Sequence, residues 1–218
     1  GYRLVDDTYT PYSLRIEAAT GIALQAAAKA LNVHMQTDSG ALTAAKGITA
    51  SGTILYLSAE TVSVSTLTNS KGDINVFSQN ALQIGGAVTA KRELWLEGTA
   101  IDAKGKLSGG TAVGLLAQDG KLNVSGGITA GTDITAMTLN GDSTIGGDVT
   151  AKGKVSILSA GSLETLKKVS GTKEVLLVAT KNAAIRGAVS SGGNVSMADT
   201  GPCHLRRDHL RQQSLPER

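Results

Sequence analysis

Four acidic residues, Asp73, Glu93, Asp133 and Glu174, recur at one place in a sequence repeat. Stacked copies of that repeat would bring Asp73 and Glu93 within about 5 Å, one strand spacing. Two carboxylates that close suit glycoside hydrolysis, one acting as acid and the other as base or nucleophile. The same position holds Thr53, Lys154 and Asn194 in other copies. A position that accepts either charge or none selects a turn former, so these acids are read as solvated turn residues.

Metal chemistry is the next candidate. Some β-helices bind calcium in Gly-Gly-x-Gly-x-Asp turns, but Gly146-Gly147-Asp148 runs on into Val149-Thr150-Ala151 without that pattern. Cys203, His204 and His209 are zinc-type ligands, yet a closed zinc site takes four, and these three lie in a segment with no periodicity. His34 stands among apolar residues and is read as a strand residue. No phosphate-binding Gly-x-x-x-x-Gly-Lys-Ser/Thr loop and no Gly-x-Ser-x-Gly elbow occurs. No catalytic, cofactor-binding or metal-ligating residue is assigned, and no cofactor is expected.

The repeat that positions these residues is visible in Gly126-Gly127-Ile128-Thr129-Ala130 and its near-copies. Aligned on the hydroxyl residue, the copies fall at Thr49, Thr89, Thr129, Thr150 and Ser190. The underlying period is about 20, with one residue inserted, and the turn Asn140-Gly141-Asp142 is the place expected to absorb it. A unit this short has no hydrophobic face it can bury alone, so neighbours must stack into a solenoid.

Within each unit, apolar residues alternate with polar ones, the signature of a strand buried on one face. Such pairs are Leu14 and Ile16, Ile54 and Tyr56, Ile74 and Val76, Leu94 and Leu96, Val155 and Ile157. A second alternating set follows in Val62 and Val64, Leu82 and Ile84, Leu122 and Val124. A third apolar position precedes the hydroxyl, as in Ile48, Val88, Ile128, Val149, Val169 and Val189. Around residues 29–48 the phase slips by one, with Leu31, Val33 and Met35 alternating, and the coil from 109 places Gly114 at a core position.

Glycine and Asx residues separate the strands, in turns such as Lys71-Gly72-Asp73 and Gly131-Thr132-Asp133. Glycine there is expected to supply positive φ. Three strands and three turns in each repeat make one coil of an all-β, right-handed parallel β-helix. The rod has about nine to ten coils and is about 45 Å long at about 4.8 Å per coil.

Composition agrees with a layered, small-residue core. Aromatics are 3% of the 218 residues, glycines number 27, and apolar content is 41%. The net charge is +3, and Arg206, Arg207, Arg211 and Arg218 against Asp208 and Glu217 account for two of it. The repeat body is thus nearly neutral and lacks the clustered cations that nucleic acid requires. No apolar run reaches the length of a membrane-spanning helix. Cys203 is alone, so no disulfide forms within the chain.

The organisation expected is a partial coil or cap over residues 1–8, a repeat shaft over 9–201 and a non-repeating, disordered tail over 202–218. With no charged and apolar leader at the start, an exported form is expected to carry this stretch as an internal segment.

Units such as Gly147-Asp148-Val149-Thr150-Ala151-Lys152-Gly153-Lys154-Val155-Ser156-Ile157 resemble the shaft repeats of filamentous haemagglutinins and contact-dependent inhibition exoproteins of two-partner secretion. The resemblance covers about residues 9–200. It implies a right-handed parallel β-helix secreted through an outer-membrane transporter to the bacterial cell surface. There it would act without catalysis in adhesion or toxin presentation, and meet a host or bacterial receptor or glycan. The Asn-Pro motif of the secretion domain and the Val-Glu-Asn-Asn junction are absent, so no family functional residue carries over. The alternatives are a polysaccharide-acting β-helix enzyme and a stand-alone carbohydrate-binding β-helix, for which the rows of exposed threonines would supply the surface.

Overall fold

The computed structural model describes residues 12–200 and the short strand Leu210–Arg211. The expectations for residues 1–8 and for Cys203, His204 and His209 lie outside the described residues, as does all of the tail except that strand. Everything described is strand or turn: 29 strands run in chain order from Leu14–Ala18 to Leu210–Arg211. No helix long and apolar enough to cross a membrane occurs among the described residues.

The strands fall in rotation into three parallel sheets. The first holds ten strands from Leu14–Ala18 to Asn194–Ala198, the second nine from Ile22–Leu24 to Ala183–Ile185, and the third ten ending in Leu210–Arg211. Each strand pairs only with its equivalents one coil before and after, as Val155 with Ile134 and Val175. The chain is therefore an all-β solenoid of about nine coils, as the repeat predicts.

The core is a set of columns running along the axis. Ile48, Leu67, Val88, Leu107, Ile128, Val149, Val169 and Val189 form an unbroken column on the third sheet, and all are at most 2% exposed. Ile74 and Val76, Leu94 and Leu96, and Val155 and Ile157 fill the first-sheet columns as expected. Such narrow columns admit no bulky ring; aliphatic and small side chains fill them at close to crystal density.

Coil length is less uniform than the repeat suggested. Leu14 pairs with Val33, and Val33 in turn with Leu55, so the second of these coils is the longer. The longer coil inverts the side-chain alternation at its end, because a one-residue shift moves every side chain to the other face. Leu55 and Leu57 are accordingly the inward pair, while Ile54 is 48% exposed and Tyr56 points outward. This corrects the expected inward pair of Ile54 and Tyr56. Gly114 is likewise on the outer face, between the inward Val113 and Leu115. The inserted residue does sit at Asn140-Gly141-Asp142: the step from Ile134 to Ser143 is one longer than the equivalent step from Val155 to Leu163.

The turn glycines serve a different purpose from the one predicted. Among the described residues only Gly21 and Gly40 have positive φ. At Gly110 and Gly131 glycine is required because the turns stack: a Cβ on Gly131 would stand 1.8 Å from the Gly110 carbonyl oxygen, and one on Gly110 1.9 Å from that of Lys91. At these two coils the turn backbones approach so closely that a side chain would force them apart, whereas Lys91 and Lys152 stand on the same row in the flanking coils.

Buried polar side chains tie off the bends. Thr138 Oγ1 donates to the Gly141 carbonyl at 2.8 Å, and Ser159 Oγ donates to the Ser162 carbonyl at 2.9 Å. Asn69 donates to the Asp73 carbonyl at 2.8 Å and accepts from the Lys71 and Gly72 amides.

Candidate binding surfaces

The repeat brings the acidic residues into line, with Asp73, Asp133 and Glu174 each engaged by a neighbouring coil. Asp73 Oδ1 accepts the backbone N–H of Glu93 at 3.0 Å and lies 3.5 Å from the Arg92 guanidinium. Asp133 Oδ1 accepts the Lys154 amide at 2.6 Å, and Glu174 pairs with Lys154 Nζ at 3.0 Å. Asn32, Asp142 and Asp148 repeat the device, accepting the amides of Thr53, Ser162 and Lys168 from the following coil. A carboxylate suits this place because an amide at the start of a strand needs an acceptor that the preceding coil must supply. These side chains staple one coil to the next, and Asp73 meets Glu93 through the Glu93 backbone amide.

Among the described residues no three His, Cys, Asp or Glu side chains gather around a common point. Gly146-Gly147-Asp148 spends its carboxylate on Lys168. His34 is a strand residue as expected, on the outward row, and stacks on Tyr56 with ring centroids 4.8 Å apart.

Two extended surfaces remain. The first is an open groove of about 500 Å³ along the second sheet, at its bend toward the third. Its walls carry Gln25, Thr43, Ser63, Ser65, Gln83, Asp102 and Lys104. Thr43, Ser63, Gln83, Asp102 and Asn123 are successive outward residues of that sheet. Asn123 Nδ2 donates to Asp102 Oδ1 at 2.8 Å, which fixes the carboxylate against its neighbour. Such a groove offers donors and acceptors to a polar chain lying along the axis.

The second surface is the outer face of the third sheet. Thr49, Thr68, Thr89, Ser108, Thr129, Thr150, Ser170 and Ser190 stand in register, one hydroxyl per coil. Alignment of the repeats shows only some members of this ladder, because Thr68 and Ser108 each end a shortened coil and fall early. The groove escapes sequence reading as well: its residues are ordinary polar strand residues, and only the bend between sheets makes them concave.

In comparisons with known proteins, no protein-family model, no curated protein and no solved structure matches the chain.

Proposed function

We propose that this chain is a segment of the shaft of a bacterial surface exoprotein, similar to filamentous haemagglutinins and contact-dependent inhibition proteins. It spaces an adhesive or toxin-bearing part away from the cell and contributes binding surface without catalysis. The observation that carries this reading is the use of the repeat's acidic position: Asp73 and Asp133 bond the next coil's backbone, and Glu174 pairs with Lys154 of the coil before it. A rod benefits from that arrangement, since its stability is a sum of coil terms and coil-to-coil terms and each staple strengthens one interface. The groove and the hydroxyl ladder supply surface along the axis, suited to a cell-surface receptor or glycan. Export through an outer-membrane transporter is compatible with a fold in which each coil is templated by the one before it.

The test is removal of coils from the parent protein in the native organism. Deleting the stretch 129–169, two coils between equivalent third-sheet positions, preserves the columns and is expected to leave the protein at the cell surface. Deleting half of one coil puts the sheets out of register and is expected to abolish surface display. A protein confined to the cytoplasm overturns the reading.

A second reading, a polysaccharide-acting solenoid, is favoured only by the open groove and Asp102. It requires that Asp102→Asn abolish a measurable glycan cleavage.

A further inference from the structure

The outer face of the first sheet differs from the other two in carrying rings. His34, Tyr56, Phe77 and Trp95 occupy four consecutive coils. The first three lean on one another, with centroids 4.8 and 5.6 Å apart. Trp95 is placed differently. A Cβ on its register partner Gly114 would stand 2.2 Å from indole Cε3 and 2.3 Å from Cζ3. The six-membered ring thus occupies the space a side chain at 114 would fill. Gly114 is buried although it faces outward, because the indole covers it. The ring reaches over the next coil's backbone at Gly114 and remains partly exposed.

The polar groups beside the ring are oriented. Indole Nε1–H donates to Glu97 Oε2 at 3.0 Å, and Gln118 Nε2 donates to Glu97 Oε1 at 2.6 Å. Each carboxylate oxygen retains further acceptor capacity, and Glu97 is partly exposed. Asn75 stands one coil before Trp95 on the same row, and the exposed Thr135 two coils after. From Asn75 to Thr135 the site spans three coils, roughly 14 Å at one strand spacing each.

We propose that this part of the first sheet is a saccharide subsite, with a pyranose ring lying on the indole of Trp95 and its hydroxyls donating to Glu97. The axial faces of a pyranose are C–H surfaces, which suit the electron-rich face of an indole. Its equatorial hydroxyls need planar acceptors and amides at the edge, the groups found here. A protein partner would favour the aliphatic run that starts at Leu116, beside Glu97, and continues through Met137, Leu158 and Val178, over a ring whose indole N–H is bonded to a carboxylate. An organic cation would favour several rings closing around it, whereas the ring pairs on this face join His34 to Tyr56 and Tyr56 to Phe77 and leave Trp95 out.

The subsite rests on the reading of the rod as a binding surface, and the two fail separately. A surface-displayed protein that gives no sugar response sinks only the subsite; a sugar response in a protein confined to the cytoplasm sinks only the rod.

Trp95 is the single tryptophan of the chain, so intrinsic fluorescence reports this site alone. The experiment titrates the full chain with cellohexaose, with chitohexaose and with tetramethylammonium chloride. The result expected is a saturable change in emission with at least one of the two sugars and none with the cation. Glu97→Gln is expected to weaken that sugar about tenfold, as loss of a charge-assisted acceptor does. Gly114→Val is expected to abolish the response by lifting the ring, with an unchanged far-ultraviolet dichroism spectrum certifying the fold. A flat titration with both sugars overturns the proposal, as does saturation by the cation alone or a Glu97→Gln variant that binds as well as the original.

Discussion

The outer faces of the third and first sheets are built on the same coils and read very differently. On the third, eight successive coils present one small hydroxyl each, from Thr49 to Ser190. On the first, the outward row passes from His34 through Tyr56, Asn75, Trp95 and Gly114 to Thr135 and Ser156. Their inner faces are alike: continuous aliphatic columns with almost no exposure. The inside is constrained by stacking, so coil after coil solves the same packing problem with small and aliphatic side chains. The outside is constrained only where something must be held. A uniform ladder meets the needs of a solvated strand, whereas Trp95, Gly114, Glu97 and Gln118 depend on one another individually.

That comparison can be broken at several levels. The largest effect is expected inside, and it should be the same on both sheets: Ile128→Ala and Leu96→Ala should each cost about 2–5 kcal/mol, read as a lowered urea midpoint. A marked difference between them would show that the columns are not equivalent. Next comes Gly131→Ala. The added Cβ meets the Gly110 carbonyl oxygen, so about 1–3 kcal/mol is expected from overpacking, although alanine is otherwise a conservative replacement. Asp133→Ala removes the acceptor of the Lys154 amide and should cost about 0.5–2 kcal/mol, as loss of a helix cap does.

The outer faces separate the two sheets most directly. Thr129→Val on the third sheet should change stability by no more than about 0.5 kcal/mol, because its neighbours on the row are independent of it. Gly114→Val on the first sheet should instead shift the emission maximum of Trp95, whatever its effect on the midpoint. If both substitutions proved silent, the individually specified face would be no different from the ladder. Lys154→Ala, breaking an exposed pair with Glu174, is expected to have a similarly small effect, within about 1 kcal/mol at low salt and vanishing in high salt.

Much of the solenoid is legible in the residues themselves. Ile128, Val149, Val169 and Val189 recur at nearly constant spacing before a hydroxyl, and alternation in Leu94-Trp95-Leu96 or Val155-Ser156-Ile157 marks strands with one buried face. Ile54 is where this reasoning fails. A lengthened coil leaves Ile54-Leu55-Tyr56-Leu57 with two plausible alternations, and only pairing with Val33 and Ile74 selects Leu55. The hydroxyl ladder is half visible for the same reason, since a short coil followed by a long one hides Thr68 and Ser108 from a strict period. The acidic position is located correctly by the repeat but its role is not: a carboxylate at a turn looks the same in sequence whether it faces another carboxylate or an amide one coil away.

By itself the sequence determined that this protein is a stack of three-stranded coils, because a short unit with three apolar stripes can bury them only against its own copies. It also determined which stripes are buried wherever coil length stays constant. Only the tertiary structure decided what happens between coils. Gly131 is required by a carbonyl oxygen of the preceding coil, Asp73 is consumed by an amide of the following one, and the indole of Trp95 rests on Gly114, one coil further on. The physical reason is shared: contacts along the axis depend on the local length of each coil, and a change of one residue reverses which side chains face in and which meet.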